Sequence, residues 1–191
     1  MKMKSTILGI TFLSLICITF TGGAYGQATN KQYVAEFGAA FTQATVTNAR
    51  TGFFGLDLFA GKMLTNNLCL GLSIGHDIVS YRKIDDYHER LTIIPALIKA
   101  KYYINIGPRL QLYTSVGGGV YRASPHLTTE PIGDIRYTTN QPGGAVGFGI
   151  DYWFLLLQGV GVSFEYHFFN TDEESIFSFF AFRLDYCFIK F

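Results

Sequence analysis

Three features of the sequence predict an all-β fold, a transmembrane antiparallel up-and-down β-barrel of about eight strands. Only 15% of the 191 residues are charged, whereas soluble proteins average about 25%. The 18 Phe and 12 Tyr favour strands. No stretch after residue 26 approaches the roughly 18 consecutive apolar residues of a helical span, so a closed barrel is the remaining way to satisfy every backbone group in lipid.

Residues 1–26 have the pattern of a cleaved signal peptide. Lys2 and Lys4 precede an apolar run over residues 7–20, and Ala24-Tyr25-Gly26 fits the small-x-small pattern of a cleavage site. We therefore predict export from the cytoplasm and assign residues 27–191 to one barrel domain. Without the two lysines, 13 basic residues face 14 acidic ones, so no strong field favours nucleic acid.

The barrel domain divides into eight predicted strands with a period of two. They are Gln32–Phe41, Gly52–Met63, Leu68–Ser80, Leu91–Tyr103, Leu110–Arg122, Gly144–Phe154, Gly159–Phe169 and Ile176–Phe191. The seventh is the clearest, because large apolar residues from Val160 to Phe168 alternate with Gly161, Ser163, Glu165 and His167. Pro95 lacks a backbone donor and predicts a bulge or register change in the fourth strand.

The connections between strands alternate in length. Three are short, Leu64–Asn67, Asn105–Arg109 and Leu155–Gln158, and four are longer, Thr42–Arg50, Tyr81–Arg90, Ala123–Pro142 and Asn170–Ser175. Outer-membrane barrels have short periplasmic turns and longer external loops. We therefore predict a bacterial outer-membrane protein with both termini in the periplasm. A soluble lipocalin-like barrel is the alternative, but its outward face would carry more charge than the Gly-rich faces here.

The face opposite the large apolar residues carries the polar side chains. Its carboxylates are Glu36, Asp57, Asp77, Asp151, Glu165 and Asp185, with Arg183 and, as further partners, Lys99, Lys101 and Arg122. An eight-stranded barrel is only wide enough for side chains to fill, and buried charges must be paired or hydrated. We predict a salt-bridge and water network that plugs the lumen. A catalytic carboxylate pair or a cation path is the alternative for the same residues.

The cysteines and histidines are not spaced in the sequence as metal ligands are. Cys69 and Cys187 are expected to be unpaired barrel residues, although a disulfide between them is an alternative. Cys17 raises a lipoprotein alternative, but Ile16 stands where a small residue would precede a lipidated cysteine. The histidines are His76, His88, His126 and His167, on different predicted strands and loops. We therefore expect no metal site and no cofactor.

His167 is a candidate catalytic residue. Some outer-membrane lipid A deacylases carry His-x-Ser-Asn late in a strand, but here Phe169 stands in the serine position. Ser163 is four residues from His167, about 13 Å along an extended strand and out of hydrogen-bond reach. The sequence therefore gives the imidazole no nucleophile to activate.

Aromatic residues cluster near the predicted strand ends and indicate interfacial girdles. One predicted rim comprises Tyr33, Tyr102, Tyr103, Tyr152, Trp153, Tyr186 and Phe191, and the other Phe41, Tyr81, Tyr121 and Phe168. A sugar-stacking site on the outer rim is the alternative for these residues.

Several stretches resemble the outer-membrane β-barrel family common in Bacteroidetes, which is related in shape to OmpA-type and OmpX-type barrels. The matching stretches are Leu91–Pro95, Lys101–Tyr103, Tyr113–Tyr121 and Ser163–Tyr166. The resemblance implies a barrel but no activity. It also implies that Phe191 is the C-terminal signal recognised by the barrel-assembly machinery as an added strand. The alternation does not run evenly into Phe191, and a bulge near the end would reconcile it.

The function expected from these observations is structural or surface-interacting, without catalysis. The expected partners are outer-membrane lipid and lipopolysaccharide, the assembly machinery, and an unknown ligand of the external loops, above all Ala123–Pro142. The alternatives are a lipid-modifying enzyme of the deacylase kind and a narrow ion-conducting channel.

Overall fold

The computed structural model describes residues 33–45, 53–84, 87–129, 133–136, 138–155, 157–171 and 176–190. Nine strands follow one another: β1 Tyr33–Ala44, β2 Phe53–Met63, β3 Leu68–Ile84, β4 Tyr87–Asn105, β5 Leu110–Thr129, β6 Gly133–Arg136, β7 Thr139–Leu155, β8 Gln158–Asn170 and β9 Ile176–Lys190. Within these ranges, no helix is long and apolar enough to cross a membrane. The predicted signal peptide and Phe191 lie outside the described residues.

Eight of the strands close into an antiparallel barrel, which confirms the predicted fold class. Neighbours in the sequence pair with one another from β1 to β5, then β5 pairs with β7, β7 with β8 and β8 with β9. The pairing of β1 with β9 closes the barrel, over twelve residue pairs from Tyr33↔Lys190 to Ala44↔Phe179. The short strand β6 stands outside the closed ring and pairs only with the end of β5.

Large apolar side chains point away from the barrel axis. The exposed fraction reaches 66% for Leu72 and 61% for Ile98, Phe148 and Leu184, whereas the alternating positions are buried. The same strands carry buried charged residues that point inward: Asp77, Lys99, Lys101, Asp151, Arg183 and Asp185. This is the reverse of the lipocalin-like alternative, in which the apolar face would fill the interior. The outward set is what a lipid-facing surface requires.

Two of the predicted long loops are largely strand. The pairing of β3 with β4 continues to Ile84↔Tyr87, within the predicted loop Tyr81–Arg90. β5 extends to Thr129 and β7 begins at Thr139, so strands occupy much of the predicted loop Ala123–Pro142. Apolar alternation stops there because lipid no longer selects it, but backbone hydrogen bonding continues without it. The three short turns agree with their predicted positions.

The irregularities of the strands match the predictions only in part. Pro95 pairs in register with Tyr121 on β5, but on its other side the β3–β4 pairing has no pairs between Ile74↔Ala96 and Asp77↔Ile93 and shifts register between Ile78 and Ser80. The described part of β9 has no register shift against either neighbour, so the bulge expected near the C-terminus is absent over Ile176–Lys190. The girdle prediction was wrong for Tyr103 and Tyr121, which are buried inside the barrel.

The Gly117-Gly118-Gly119 run allows β4 and β5 to approach closely. A Cβ on Gly119 would clash with the Ala96 carbonyl oxygen and lie 3.0 Å from the Leu97 Cα. A Cβ on Gly118 would meet only the Gly143 carbonyl oxygen, at 3.8 Å. The two glycines therefore have different structural roles although they are adjacent.

The pair Gly119→Ala and Gly118→Ala tests this close approach. We expect Gly119→Ala to lower the free energy of unfolding by about 1–3 kcal/mol, since backbone must move to admit the methyl group. Gly118→Ala should be neutral or slightly stabilising. Urea unfolding in detergent micelles measures both, and equal effects would contradict the assignment.

A charge on the outer face should be costly in proportion to its depth. Leu72 lies midway along the paired part of β3, between Ala60 and Ile98, whereas Leu64 lies in a turn. We expect Leu72→Arg to destabilise the folded protein in lipid vesicles by about 2–4 kcal/mol and Leu64→Arg by about 0–1 kcal/mol. Reversible denaturation in vesicles checks this, and a similar cost at both positions would argue against a membrane-embedded belt.

Candidate functional site

The interior of the barrel has three layers. A hairpin-end cluster of apolar residues lies towards the long β3–β4 and β5–β7 connections, and a turn-end cluster lies towards the short turns. The hairpin-end cluster consists of Ala44, Val79, Ile93, Leu97, Tyr121, Ala123, Ala145, Phe169, Phe179 and Ala181, and the turn-end cluster of Val34, Phe59, Cys69, Tyr103 and Tyr113. Between them lies an ionic layer of buried polar and charged side chains.

The ionic layer contains most of the residues predicted for the lumen. The buried charged residues are Glu36, Asp57, Asp77, Asp151, Glu165, Asp185, Lys99, Lys101 and Arg183. Arg122 was wrongly placed in this set, because it is exposed on the outer face. Its position on β5 is out of phase with the lumen-facing Tyr121 and Ala123, which are both buried.

Glu165 on β8 is the centre of one half of the ionic layer. Its carboxylate accepts hydrogen bonds from Lys99 Nζ at 2.9 Å and from Arg183 Nη1. Arg183 Nη2 also lies 3.9 Å from both Asp57 Oδ1 and Asp77 Oδ2. Arg183 is 2% exposed, so its charge is balanced almost entirely by protein groups.

His167 is held inside this half of the layer. The Tyr121 hydroxyl donates to the Gly144 carbonyl oxygen at 2.7 Å and lies 3.0 Å from His167 Nδ1. With the hydroxyl proton directed at Gly144, Nδ1 is the donor in its contact with the hydroxyl oxygen, so the tautomer of His167 is coupled to this hydrogen bond. His167 Nε2 lies 3.2 Å from Glu165, and the ring stacks on Phe179 with centroids 4.6 Å apart.

Lys101 and Glu36 form the centre of the other half. Lys101 Nζ donates to Glu36 Oε2, and the Tyr103 hydroxyl donates to Glu36 Oε1 at 3.2 Å. The ammonium group lies 4.6 Å from the centroid of the Phe59 ring and 4.4 Å from that of Tyr113. These aromatic faces of the turn-end cluster supply cation–π contacts in a site with little solvent.

Lumen aspartates face glycines on neighbouring strands. Asp185 is paired with Gly38, Asp77 with Gly55 and Asp151 with Gly161. In each pair a Cβ on the glycine would clash with an oxygen of the aspartate. The Gly-rich character of the inner face therefore makes room for carboxylates that fold over the opposing backbone.

The ionic layer contains more negative than positive groups. Among the described residues, six buried carboxylates face three buried Lys and Arg side chains. In the same part of the chain, three buried carboxylate oxygens have no hydrogen-bond partner: both of Asp77 and Oδ2 of Asp151. A buried carboxylate without a partner is costly, so this layer has capacity for protons, water or cations.

Three ligand-type residues missed by sequence spacing meet in the ionic layer. Glu36, Asp151 and Cys187 come from β1, β7 and β9, and their ligand atoms lie within 4.8 Å of one another. Cys69 and Cys187 are both buried free thiols. No signal in the sequence could have joined these three residues, because the barrel closure brings them together.

The geometry around His167 and Ser163 does not form a nucleophile–base pair. The Ser163 hydroxyl donates to Asp185 Oδ2 at 3.0 Å, while His167 contacts Tyr121, Glu165 and Arg183. Ser163 is 4% exposed and His167 0%, so lipid on the outer face does not reach either side chain.

Comparisons with known proteins match the fold. Neither family models nor curated proteins give a match. Among solved structures, Neisserial surface protein A is 13% identical, with a TM-score of 0.60 over 85% of this chain and 99% of that one. A major outer membrane protein from Thermus thermophilus is 13% identical, with a TM-score of 0.57 over 84% and 99%.

A third similar structure is Ail, the attachment invasion locus protein of Yersinia pestis. It is 12% identical, with a TM-score of 0.54 over 84% of this chain and 100% of that one. The chain has the fold of small outer-membrane β-barrels. Because these barrels share so little sequence with the chain, the likeness concerns fold alone.

Arg183→Met tests the importance of the central ion pairs. Removing the guanidinium leaves Glu165, Asp57 and Asp77 without their shared cation, so we expect a loss of about 3–5 kcal/mol in the free energy of unfolding. Arg122→Met removes the same side chain from the outer face and should change stability by less than about 0.5 kcal/mol. Urea titration in micelles compares the two, and a small effect at Arg183 would mean that water replaces the guanidinium.

Proposed function

We propose that this protein is an integral outer-membrane barrel with a closed lumen and a structural or surface-interaction role. The observation that carries the proposal is the layered interior, in which two apolar clusters enclose a buried ionic layer. Transport through the lumen would require both clusters to open. Catalysis on lipid would require a reacting group on the outer face or at an accessible rim.

The outer face supports placement in a membrane. Exposed large apolar residues occur on all eight strands of the ring, including Phe37 on β1, Leu58 on β2 and Phe182 on β9. Such a continuous belt would be insoluble in water but matches the hydrocarbon of a bilayer. The fold shared with outer-membrane barrels supports the outer membrane as the compartment.

The ends of the barrel support an orientation. Turns of a few residues join β2 to β3, β4 to β5 and β7 to β8, whereas β3, β4, β5 and β6 extend beyond the closed ring at the opposite end. We assign the short turns to the periplasm, as in other barrels, and the extended hairpins to the cell surface. The hairpins are then the parts available to lipopolysaccharide and to surface partners.

Planar bilayer recordings test the closed lumen. We expect the wild-type chain to insert without steady openings, because Ile93, Leu97 and Phe179 at one end and Phe59 and Tyr113 at the other exclude water. Insertion is checked independently by heat modifiability, in which the folded barrel migrates faster than the boiled chain on a gel. Steady conductance from inserted, heat-modifiable protein would favour the channel.

Mass spectra of lipid A test the enzymatic alternative. Cells that express the wild type, His167→Gln or Glu165→Gln should give the same lipid A, provided that the variants remain heat-modifiable. If expression of the wild type changed the acylation of lipid A relative to cells without the protein, and His167→Gln did not, a lipid-modifying activity would replace the proposed function.

A further inference from the structure

We propose that the ionic layer holds one divalent metal ion of borderline or soft character, Zn²⁺ or Cd²⁺, between Glu36, Asp151 and Cys187. The proposal does not depend on the surface role proposed above. It rests on the proximity of the three ligand groups, their burial, the unpartnered oxygen of Asp151 and the surplus of carboxylates around them.

The three side chains converge from three strands. Glu36 and Cys187 are paired across β1 and β9. The Cys187 Sγ lies 3.9 Å from Asp151 Oδ1, and all three ligand atoms fall within 4.8 Å of one another. Ligand atoms around a tetrahedral zinc ion are about 3.5 Å apart, given bonds of about 2.0–2.3 Å, so rotamer shifts of about 1 Å complete the geometry.

Gly161 on β8 makes room for the Asp151 carboxylate. Gly159 is paired with Cys187, and Gly161 with both Asp151 and Asp185. Neither glycine places a side chain between β7 and β9, and a Cβ on Gly161 would clash with Asp151 Oδ1. The Trp153 ring lies over Gly159, whereas the Asp151 carboxylate lies over Gly161 and its Oδ1 is 3.9 Å from the Cys187 Sγ.

The electrostatics around Asp151 favour a cation. Asp151 is 1% exposed and its Oδ2 has no hydrogen-bond partner. Asp185 adds another buried carboxylate next to the same glycine. Lys101 is the cation of this half of the layer, and it is already paired with Glu36. A divalent ion would supply the charge that the protein groups lack.

The donor set selects the metal. One thiol and two carboxylates suit Zn²⁺ or Cd²⁺ better than Mg²⁺ or Ca²⁺, which take oxygen ligands. On binding, the Cys187 thiol releases its proton and the thiolate forms the metal–sulfur bond. Glu36 can keep Lys101 on Oε2 and use Oε1 for the metal, through the lone pair that does not accept from the Tyr103 hydroxyl. A water molecule can fill the fourth position.

The test loads the full chain with a single metal. Because both apolar clusters close the lumen, the metal is present while the chain refolds into detergent micelles. With Cd²⁺ we expect one equivalent bound per chain and a thiolate-to-cadmium charge-transfer absorption in the ultraviolet. Zn²⁺ added in a parallel refolding should bind with the same stoichiometry and abolish the cadmium band in competition.

Variants test whether the absorption band arises from the site formed by Glu36, Asp151 and Cys187. Cys187→Ser should lose it, whereas Cys69→Ser, which removes the other buried thiol, should keep it. Asp151→Asn should raise the dissociation constant by at least about tenfold, since loss of groups that merely orient ligands already costs that much. Heat modifiability confirms the folding of each variant.

Two results would overturn the proposal. One is folded wild-type protein that binds no Cd²⁺ or Zn²⁺. The other is a cadmium band that survives Cys187→Ser or disappears with Cys69→Ser. If Cys187→Ser does not fold, retention of wild-type affinity by Asp151→Asn would also overturn it.

Discussion

The pairing of β1 with β9 is the constraint on which the rest of the structure depends. In a bilayer no water is available to satisfy an open sheet edge, so an unpaired strand would leave a row of backbone donors and acceptors in hydrocarbon. The twelve pairs between Tyr33–Ala44 and Phe179–Lys190 remove that edge. Closure also creates a lumen, and the ionic layer depends on that enclosed space.

Closure divides the alternating residues into two environments with opposite demands. Lipid requires large apolar side chains on the outer face. The narrow interior requires small residues opposite the larger side chains that fill it. The aspartates that face Gly38, Gly55 and Gly161 meet this second demand. A pattern that looks merely Gly-rich is therefore a set of glycines matched to the carboxylates that lie over them.

The interior is polar in the middle and apolar at both ends. Charges in the middle are expensive unless paired, and Arg183, Lys99 and Lys101 pair some of the carboxylates. Among the described residues, the layer has three more buried carboxylates than buried Lys and Arg side chains. In the closed lumen that we propose, the apolar clusters exclude solvent ions from this layer, and its charge balance is then established while the barrel folds. This connects the layer's composition to the metal ion proposed for it.

Local alternation in the sequence by itself determined the eight strands of the closed ring, the short turns and the face that holds the buried carboxylates, although it did not predict β6. Val160 to Phe168 shows why, since a period of two is a property of one strand and needs no neighbour. Where lipid stops selecting side chains, the pattern failed, as in the extensions of β3, β4 and β5. The predictions for Tyr103 and Arg122 failed because they departed from this period: Tyr103 is two residues from Lys101, and Arg122 is one residue from Tyr121. Only the tertiary structure decided how deeply Tyr103 and Tyr121 are buried. It alone brought Glu36, Asp151 and Cys187 together, because contacts across a closed sheet depend on register and stagger, which no single strand encodes.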